Sequence, residues 1–154
     1  MIPTGVAFAA SGLVGNCIGM NQVDRAKQYE RVSILFSVIV TSIMLLIFWA
    51  FDYYLAALFT TDERLIQMTR TNFWALFLYI FWSTIKGVQN GVVRSLGQQK
   101  KNTLVTLVVA YGLGIPLAYV FCFVQPIAMG LQGMWFGISI ANFALVLAIN
   151  CLIR

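Results

Sequence analysis

The sequence contains no histidine and few charged residues of either sign. Histidine is the commonest general base and metal ligand in proteins, so its absence removes the usual means of acid–base and metal chemistry. Only 10% of the residues are charged, whereas soluble domains carry about 25%. A globule of this composition could not cover its surface with charge. The scarcity of charge therefore argues against a soluble globular domain.

Signatures of catalysis and of nucleic-acid binding are also missing. There is no Gly-x-Ser-x-Gly element, no phosphate-binding loop and no cofactor motif. The five acidic residues lie in or next to predicted loops, and the net charge of +5 is scattered instead of being clustered on one face. The three cysteines, Cys17, Cys122 and Cys151, lie inside apolar runs without the spacing of metal ligands. We therefore expect a non-enzymatic protein that binds no metal, cofactor or nucleic acid.

Long uncharged runs dominate the sequence instead, and 60% of its residues are apolar. A helix rises 1.5 Å per residue, so about 20 apolar residues cross the hydrocarbon core of a bilayer. The runs predict five helical segments, at about residues 1–21, 30–51, 66–96, 102–124 and 131–153. The first is the weakest because it contains Pro3, Ser11 and several glycines. A turn between the last two segments is expected at Gln125 and Pro126.

Few structures other than membrane-spanning helices would explain these apolar runs. A single apolar run can be a buried core helix, but several in so short a chain have only lipid and one another to pack against. A β-barrel is excluded because polar and apolar residues do not alternate within the runs. The sequence thus predicts an all-α, polytopic transmembrane bundle that forms one domain over residues 1–154.

The charges between the segments predict the orientation of the chain. Lysine and arginine are enriched in cytoplasmic loops. Two basic residues, Arg64 and Arg70, fall on one side of the predicted bundle, and seven fall on the other. The larger group is Arg25, Lys27, Arg31, Arg94, Lys100, Lys101 and Arg154. We therefore expect residues 24–31, residues 94–101 and the C-terminus to be cytoplasmic.

Glycine and proline indicate how the segments pack. Three Gly-x-x-x-Gly pairs predict close approach of helix backbones. They are Gly15 and Gly19, Gly87 and Gly91, and Gly133 and Gly137. In the fourth segment, Gly112, Gly114 and Pro116 are expected to loosen or kink the helix, because proline removes one backbone hydrogen bond.

One face of the third segment is polar. Its polar residues recur at three- and four-residue spacing, which places them on the same side of a helix. They are Tyr79, Ser83, Lys86, Asn90 and Arg94. A lysine at mid-helix costs roughly 2.5–3.5 kcal/mol on insertion scales. Lys86 therefore either lines a cavity or extends its stem to the cytoplasmic headgroups. The first four of these residues are our candidates for a substrate pathway, whereas Asn16, Asn142 and Asn150 are expected to be interhelical hydrogen-bond partners.

Four stretches follow one another along the chain: Pro3-Thr-Gly5 with Val14-Gly15-Asn16, Gly87-Val-Gln-Asn-Gly91-Val-Val-Arg94, Gly114-Ile-Pro116-Leu, and Gly130-Leu-Gln-Gly133-Met-Trp135-Phe-Gly137. In this order they resemble the multidrug and toxin extrusion (MATE) transporters, and the eukaryotic-type members most. The resemblance implies the C-terminal lobe, from within the eighth helix to the twelfth, of a twelve-helix, two-lobe transporter. It also implies a missing N-terminal lobe, a drug or organic cation as substrate, and H⁺ or Na⁺ as coupling ion.

The chain departs from the family pattern at three positions. Lys86 stands where a glutamine is common, Ser83 where plant-like members have an acid, and Cys17 where a glutamate often follows the asparagine. The leading hypothesis is a cation-coupled antiporter that works by alternating access. One alternative is a lipid-linked oligosaccharide flippase of the same superfamily, in which Lys86 and Arg94 would meet anionic headgroups. Another is a membrane scaffold subunit that transports nothing.

Overall fold

The computed structural model describes residues 2–59, 62–124 and 129–153. These ranges contain helices and no strand, so the predicted all-α class is confirmed. The α-helices are α1 (Ile2–Gly19), α2 (Val23–Ala50), α3 (Asp52–Phe59), α4 (Glu63–Ser95), α5 (Gln99–Val109), α6 (Ile115–Phe123) and α7 (Leu131–Ile153). A π-helical turn, Ala110–Gly114, joins α5 to α6. The expected turn at Gln125 and Pro126 and the C-terminal Arg154 lie outside the described residues.

Three described helices are long and apolar enough to cross a membrane: Val23–Ala50, the continuous helix Gln99–Phe123, and Leu131–Ile153. The 33-residue helix α4 is longer than any of them, but the polar residues along it lower its hydropathy. In α1 only a shorter apolar stretch, Thr4–Gly19, was found. Membrane crossing by α1 and α4 therefore stays a prediction.

Residues 52–65, between the second and third predicted segments, were expected to be a loop, but most of those that the structure describes are helical. The short helix α3 and the first residues of α4 occupy this region. Asp52 accepts a hydrogen bond from the backbone N–H of Tyr53 at 2.6 Å, and Asp62 accepts one from Arg64 at 2.9 Å. Acidic residues at a helix start satisfy free backbone N–H groups there. The charges that suggested a loop thus mark two helix starts.

The helices α1 and α4 end in the same way. The backbone N–H of Gln22 donates to the carbonyl of Cys17 at 2.8 Å, and that of Gln98 donates to Val93 at 3.2 Å. The residues before them, Asn21 and Gly97, have positive φ angles of 58° and 70°. Such endings satisfy the last free carbonyls of a helix and reverse the chain sharply. Each therefore allows the next helix to return alongside.

Helix α4 is the centre of the bundle, since it packs against α1, α2 and α7. The helices α4 and α7 run parallel and in register. The side chains of Lys86 and Asn142 are hydrogen-bonded across a separation of 56 residues. Seven residues earlier on both helices, the ring centroids of Tyr79 and Trp135 are 5.2 Å apart with their planes tilted by 55°, and these two residues are also 56 positions apart. Two contacts with the same offset keep this face of α4 beside α7.

The helix that ends at Phe123 is irregular just before Pro116. The backbone N–H of Ile115 donates to the carbonyl of Ala110, five residues earlier, which is the bond of a π turn. Proline cannot donate a hydrogen bond, and its ring crowds the carbonyl four residues before it, here that of Gly112. The wider turn makes room for this ring. Whether the helix axis also bends at Pro116 stays a prediction.

Candidate functional site

The polar face of α4 lies between two packed edges of that helix. Successive residues of a helix are about 100° apart around its axis. The residues of α4 that contact neighbouring helices therefore mark the edges of angular sectors around that axis. One edge carries Gly91, which lies against α1, and the other carries Trp82, whose ring is 4.6 Å from that of Phe143 on α7. The residues expected on the polar face fall in the sector between these edges. This sector lines the clefts between α4 and its neighbours α1 and α7, and it touches those neighbours through single side-chain contacts.

Among the clefts that border this face, two meet at Lys86. The α1–α4 cleft has a volume of about 390 Å³ and is lined by Thr4, Ala7, Phe8, Ser83, Lys86, Gly87, Asn90, Gly91 and Arg94. The α4–α7 cleft has a volume of about 530 Å³, and its lining includes Tyr79, Lys86 and Asn142 together with apolar residues of α6 and α7. Lys86 belongs to both linings. The structure therefore brings all four pathway candidates to the two clefts, with Lys86 at their common wall.

The side chain of Lys86 is directed toward α7. Its ammonium group donates a hydrogen bond to the Oδ1 atom of Asn142 at 2.6 Å. Asn142 is at the midpoint of α7, so the charged group lies near the middle of a helix long enough to cross a membrane. This placement favours a cleft-lining position for Lys86 over a side chain that extends to the headgroups. It also gives Asn142 the role of interhelical hydrogen-bond partner, whereas Asn16 and Asn150 are exposed.

Toward the predicted cytoplasmic end, the polar face meets two further helices. The Nδ2 atom of Asn102 on α5 donates a hydrogen bond to the Oδ1 atom of Asn90 at 2.8 Å. The guanidinium of Arg94 lies 5.2 Å from the centre of the Phe8 ring on α1, a distance at which a cation is attracted to an aromatic face. No acidic residue is among the described residues that line either cleft.

Three of the six glycines expected at helix contacts lie directly against another backbone. A methyl group on Gly91 would overlap the carbonyl of Ala7, and one on Gly133 would overlap that of Phe121. At Gly137 it would lie 2.5 Å from the backbone nitrogen of Ala118. At Gly15 it would make an ordinary contact, 3.6 Å from the Cβ atom of Ser95. Gly91 thus fits α4 to α1, and the last pair fits α7 to α6.

The expectation of tight packing is wrong for Gly19 and Gly87. A methyl group on either would meet no described atom within 4 Å. Gly87 faces the α1–α4 cleft, and Gly19 is exposed at the end of α1. A Gly-x-x-x-Gly pair marks a contact only where both residues lie on the contact line between two helices. In the pairs Gly15/Gly19 and Gly87/Gly91, only one residue lies on that line.

A polar stripe on α2 was not predicted from the sequence. Ser33, Ser37 and Thr41 recur at every fourth residue and are all buried. The hydroxyl of Thr41 lies 3.3 Å from that of Thr84 on α4, which itself donates to the carbonyl of Ile80 at 2.9 Å. Since a hydroxyl has one hydrogen, Thr41 is the donor between the two threonines. The four-residue spacing of small polar residues was a signal that could have predicted this helix contact.

The described residues offer no group of three or more His, Cys, Asp or Glu side chains that could hold a metal ion. What the site does offer is a polar strip with two positive charges, between an apolar cleft and a more polar one. Such a strip can bind and orient a solute at mid-membrane depth. It has no paired acid and base within the described residues for chemistry on that solute.

Comparison with known proteins identifies the family. The MatE family model matches residues 1–120. Multidrug and toxin extrusion protein 1 from Danio rerio is 30% identical over 138 residues, which are 89% of this chain and 23% of that protein. The probable multidrug resistance protein NorM from Pasteurella multocida is 27% identical over 144 residues, 92% of this chain and 31% of that protein. The resemblance seen in the sequence is therefore confirmed.

A solved structure has the same fold. It is the inward-facing conformation of a multidrug resistance MATE family transporter of the MOP superfamily, with a TM-score of 0.83 at 19% identity. The similarity covers 96% of this chain and 34% of that one. The chain thus spans about a quarter to a third of the length of the proteins it matches. Its helices, its apolar composition and the family match together show a multi-pass membrane protein that belongs to the MATE family.

Proposed function

We propose that the chain forms part of a secondary active transporter that exports drugs, toxins or organic cations in exchange for H⁺ or Na⁺. The observation that carries the proposal is the open polar face of α4, whose candidates Tyr79, Ser83, Lys86 and Asn90 all line clefts. In membrane proteins, polar residues at membrane depth usually face a bundle interior or a water-filled path. A face that served only helix packing would be covered by a neighbour.

The two clefts give this face a part in alternating access. They meet at Lys86 on α4, so a rotation of α4 between α1 and α7 would widen one cleft while it narrowed the other. The π turn before Pro116 supplies a point where the backbone of the helix beside the α4–α7 cleft departs from regular geometry, and such turns are frequent at functional sites. In this proposal, residues 24–31, residues 94–101 and the C-terminus face the cytoplasm, as the excess of basic residues there indicates.

Two further parts of the proposal come from the family. Drug export is suggested by the names of two relatives, a multidrug and toxin extrusion protein and a probable multidrug resistance protein, which are about three to four times as long as this chain. A missing N-terminal lobe would supply the opposite wall of the solute path. The coupling ion would then bind at groups outside the two clefts, since no described acid lines them.

Uptake by proteoliposomes tests the proposal. The full-length protein is reconstituted, a proton or sodium gradient is imposed, and accumulation of labelled tetraphenylphosphonium or of a labelled organic anion is followed. Ser83→Trp, which fills the α1–α4 cleft, should reduce gradient-driven accumulation to near background. Leu78→Trp is the matched control, because Leu78 is exposed on the same helix and lines neither cleft.

The outcome also decides between transport and the two alternatives. Gradient-independent movement of a lipid-linked sugar would favour the flippase, for which the basic residues Lys86 and Arg94 on this face are the supporting observation. If a well-folded preparation accumulates none of the solutes with either gradient, the antiporter proposal is wrong. A scaffold subunit would then be the better explanation of the fold.

A further inference from the structure

Two hydrogen-bond donors meet at one point of the α4–α7 cleft. Lys86 has three N–H donors, one of which is used on the Oδ1 atom of Asn142. Because an ammonium group can only donate, this bond identifies which atom of the Asn142 amide is the oxygen. Its other atom, Nδ2, is buried and has no hydrogen-bond partner, and the residue is 3% exposed. The cleft therefore contains unused donors and a positive charge side by side.

The rest of the cleft is apolar. Beyond Lys86 and Asn142, its polar side-chain groups are the hydroxyls of Tyr79, Thr106 and Tyr119 and the thiol of Cys122. The remaining wall consists of residues such as Ile138, Leu145 and Phe123. Its volume of about 530 Å³ is within the range of pockets that hold small organic ligands.

A positive charge and an unpartnered amide are costly in such surroundings. A charge removed from water is tolerated when an opposite charge or several hydrogen bonds replace the water, and a buried N–H without an acceptor costs free energy as well. The described lining contains no carboxylate to serve as that partner. An anionic group in contact with both donors would satisfy them together.

We propose that the α4–α7 cleft binds an amphipathic anion, with its carboxylate or phosphate group on Lys86 and Asn142 and its apolar body along α6 and α7. The inference rests on the proposed function and deepens it: among the drugs and toxins proposed as substrates, it assigns anionic amphiphiles to this cleft. A permanent cation would meet the Lys86 charge with no described acid to offset it. The anion comes either from solution or from a lipid headgroup.

Equilibrium binding of labelled decanoate tests the site, with decyltrimethylammonium as the cation of equal chain length. The full-length protein is placed in phosphatidylcholine nanodiscs, and partition into lipid is removed by subtracting the counts bound by empty nanodiscs. Lys86→Gln should weaken decanoate binding by about tenfold or more, since it removes a charge-assisted hydrogen bond. Lys86→Arg should keep the preference for the anion. Lys27→Gln is the control, because Lys27 is exposed on α2 and lines neither cleft.

A second variant shows whether a loss of decanoate binding could be due to misfolding. Asn142→Asp places a carboxylate of the same size beside the Lys86 ammonium, so the site forms its own ion pair. This variant should melt at or above the wild-type temperature and yet lose decanoate binding. Equal decanoate binding by wild type, Lys86→Gln and Asn142→Asp, or tighter binding of decyltrimethylammonium than of decanoate, would overturn the proposal.

Two further measurements identify the source of the anion and test the anion site separately from the transporter. If phosphatidylglycerol in the nanodisc displaces decanoate, the natural occupant is a lipid headgroup, whereas retained binding supports a solute from water. Gradient-driven uptake is measured on the same preparation. Decanoate binding without uptake of any solute rejects the transporter and keeps the site. Uptake without Lys86-dependent decanoate binding rejects the site and keeps the transporter.

Discussion

Gly91 on α4 lies directly against the backbone carbonyl of Ala7 on α1, with no room between them for a methyl group. One helical turn earlier, Gly87 has nothing within 4 Å of the place where a methyl group would be. The two glycines therefore form a matched pair, with the same residue type on the same helix and in opposite surroundings.

Gly91→Ala should destabilise the fold by about 1–3 kcal/mol, the usual cost of overpacking. Gly87→Ala should leave stability unchanged or raise it by up to about 1 kcal/mol, because alanine is the better helix former. Detergent-induced unfolding followed by circular dichroism measures both. Equal stability of the two variants would show that α1 does not approach α4 at Gly91.

A second contact of this kind lies between α7 and α6. Gly137→Ala would place a methyl group 2.5 Å from the backbone nitrogen of Ala118, so we expect α6 to move away from α7. The half-buried Cys122 on α6 should then react faster with a maleimide. Gly112→Ala is the control, because Gly112 has nothing within 4 Å. Unchanged Cys122 reactivity in Gly137→Ala, with the control also unchanged, would contradict this packing.

The glycines show which part of the fold the sequence could predict. The apolar runs were sufficient for the all-α class and for the approximate position of the long helices. In the sequence, however, Gly87 and Gly91 are alike, and so are Gly19 and Gly15. Only the position of the neighbouring helix distinguishes them, and that position depends on contacts between distant residues.

For the same reason, only part of the candidate site could be predicted from the sequence. The spacing of polar residues along α4 is local information, and it was enough to select Ser83, Lys86 and Asn90. The hydrogen bond from Lys86 to Asn142 joins residues 56 positions apart, so no local pattern could have paired them. The starts of α3 and α4 were missed for a different reason. Asp52 and Asp62 were interpreted as loop charges, although acids are also favoured where a helix begins.

The hydrogen bond between Thr41 and Thr84 should contribute modestly to the packing of α2 on α4. We expect a coupling energy of roughly 0.5–1.5 kcal/mol, in the range found for interhelical hydrogen bonds in membranes. A double-mutant cycle with Thr41→Val, Thr84→Val and the double variant measures it by detergent-induced unfolding. Strict additivity of the two single changes would mean that the hydroxyl groups do not interact.

The ion pair between Arg70 and Asp52 should add little stability. Its N–O distance is 2.7 Å, but the Arg70 side chain is 50% exposed, and exposed pairs contribute about 0–1 kcal/mol. Asp52→Asn and Arg64→Ala, which changes another exposed residue of α4, should both be close to wild type in unfolding free energy. A loss of several kcal/mol in Asp52→Asn would show that the contact between α3 and α4 has structural importance that its exposure does not suggest.

The claim that one face of α4 lines a solute path is tested by the access of water to that helix. Single cysteines are placed at Ser83, Asn90, Val88 and Val92 in a background that lacks Cys17, Cys122 and Cys151. A membrane-impermeant thiol reagent is then applied to the folded, membrane-embedded protein. We predict labelling at positions 83 and 90, which line the α1–α4 cleft, and none at 88 and 92, which are 0% and 2% exposed. Equal labelling at all four positions, or no labelling at positions 83 and 90, would contradict the claim.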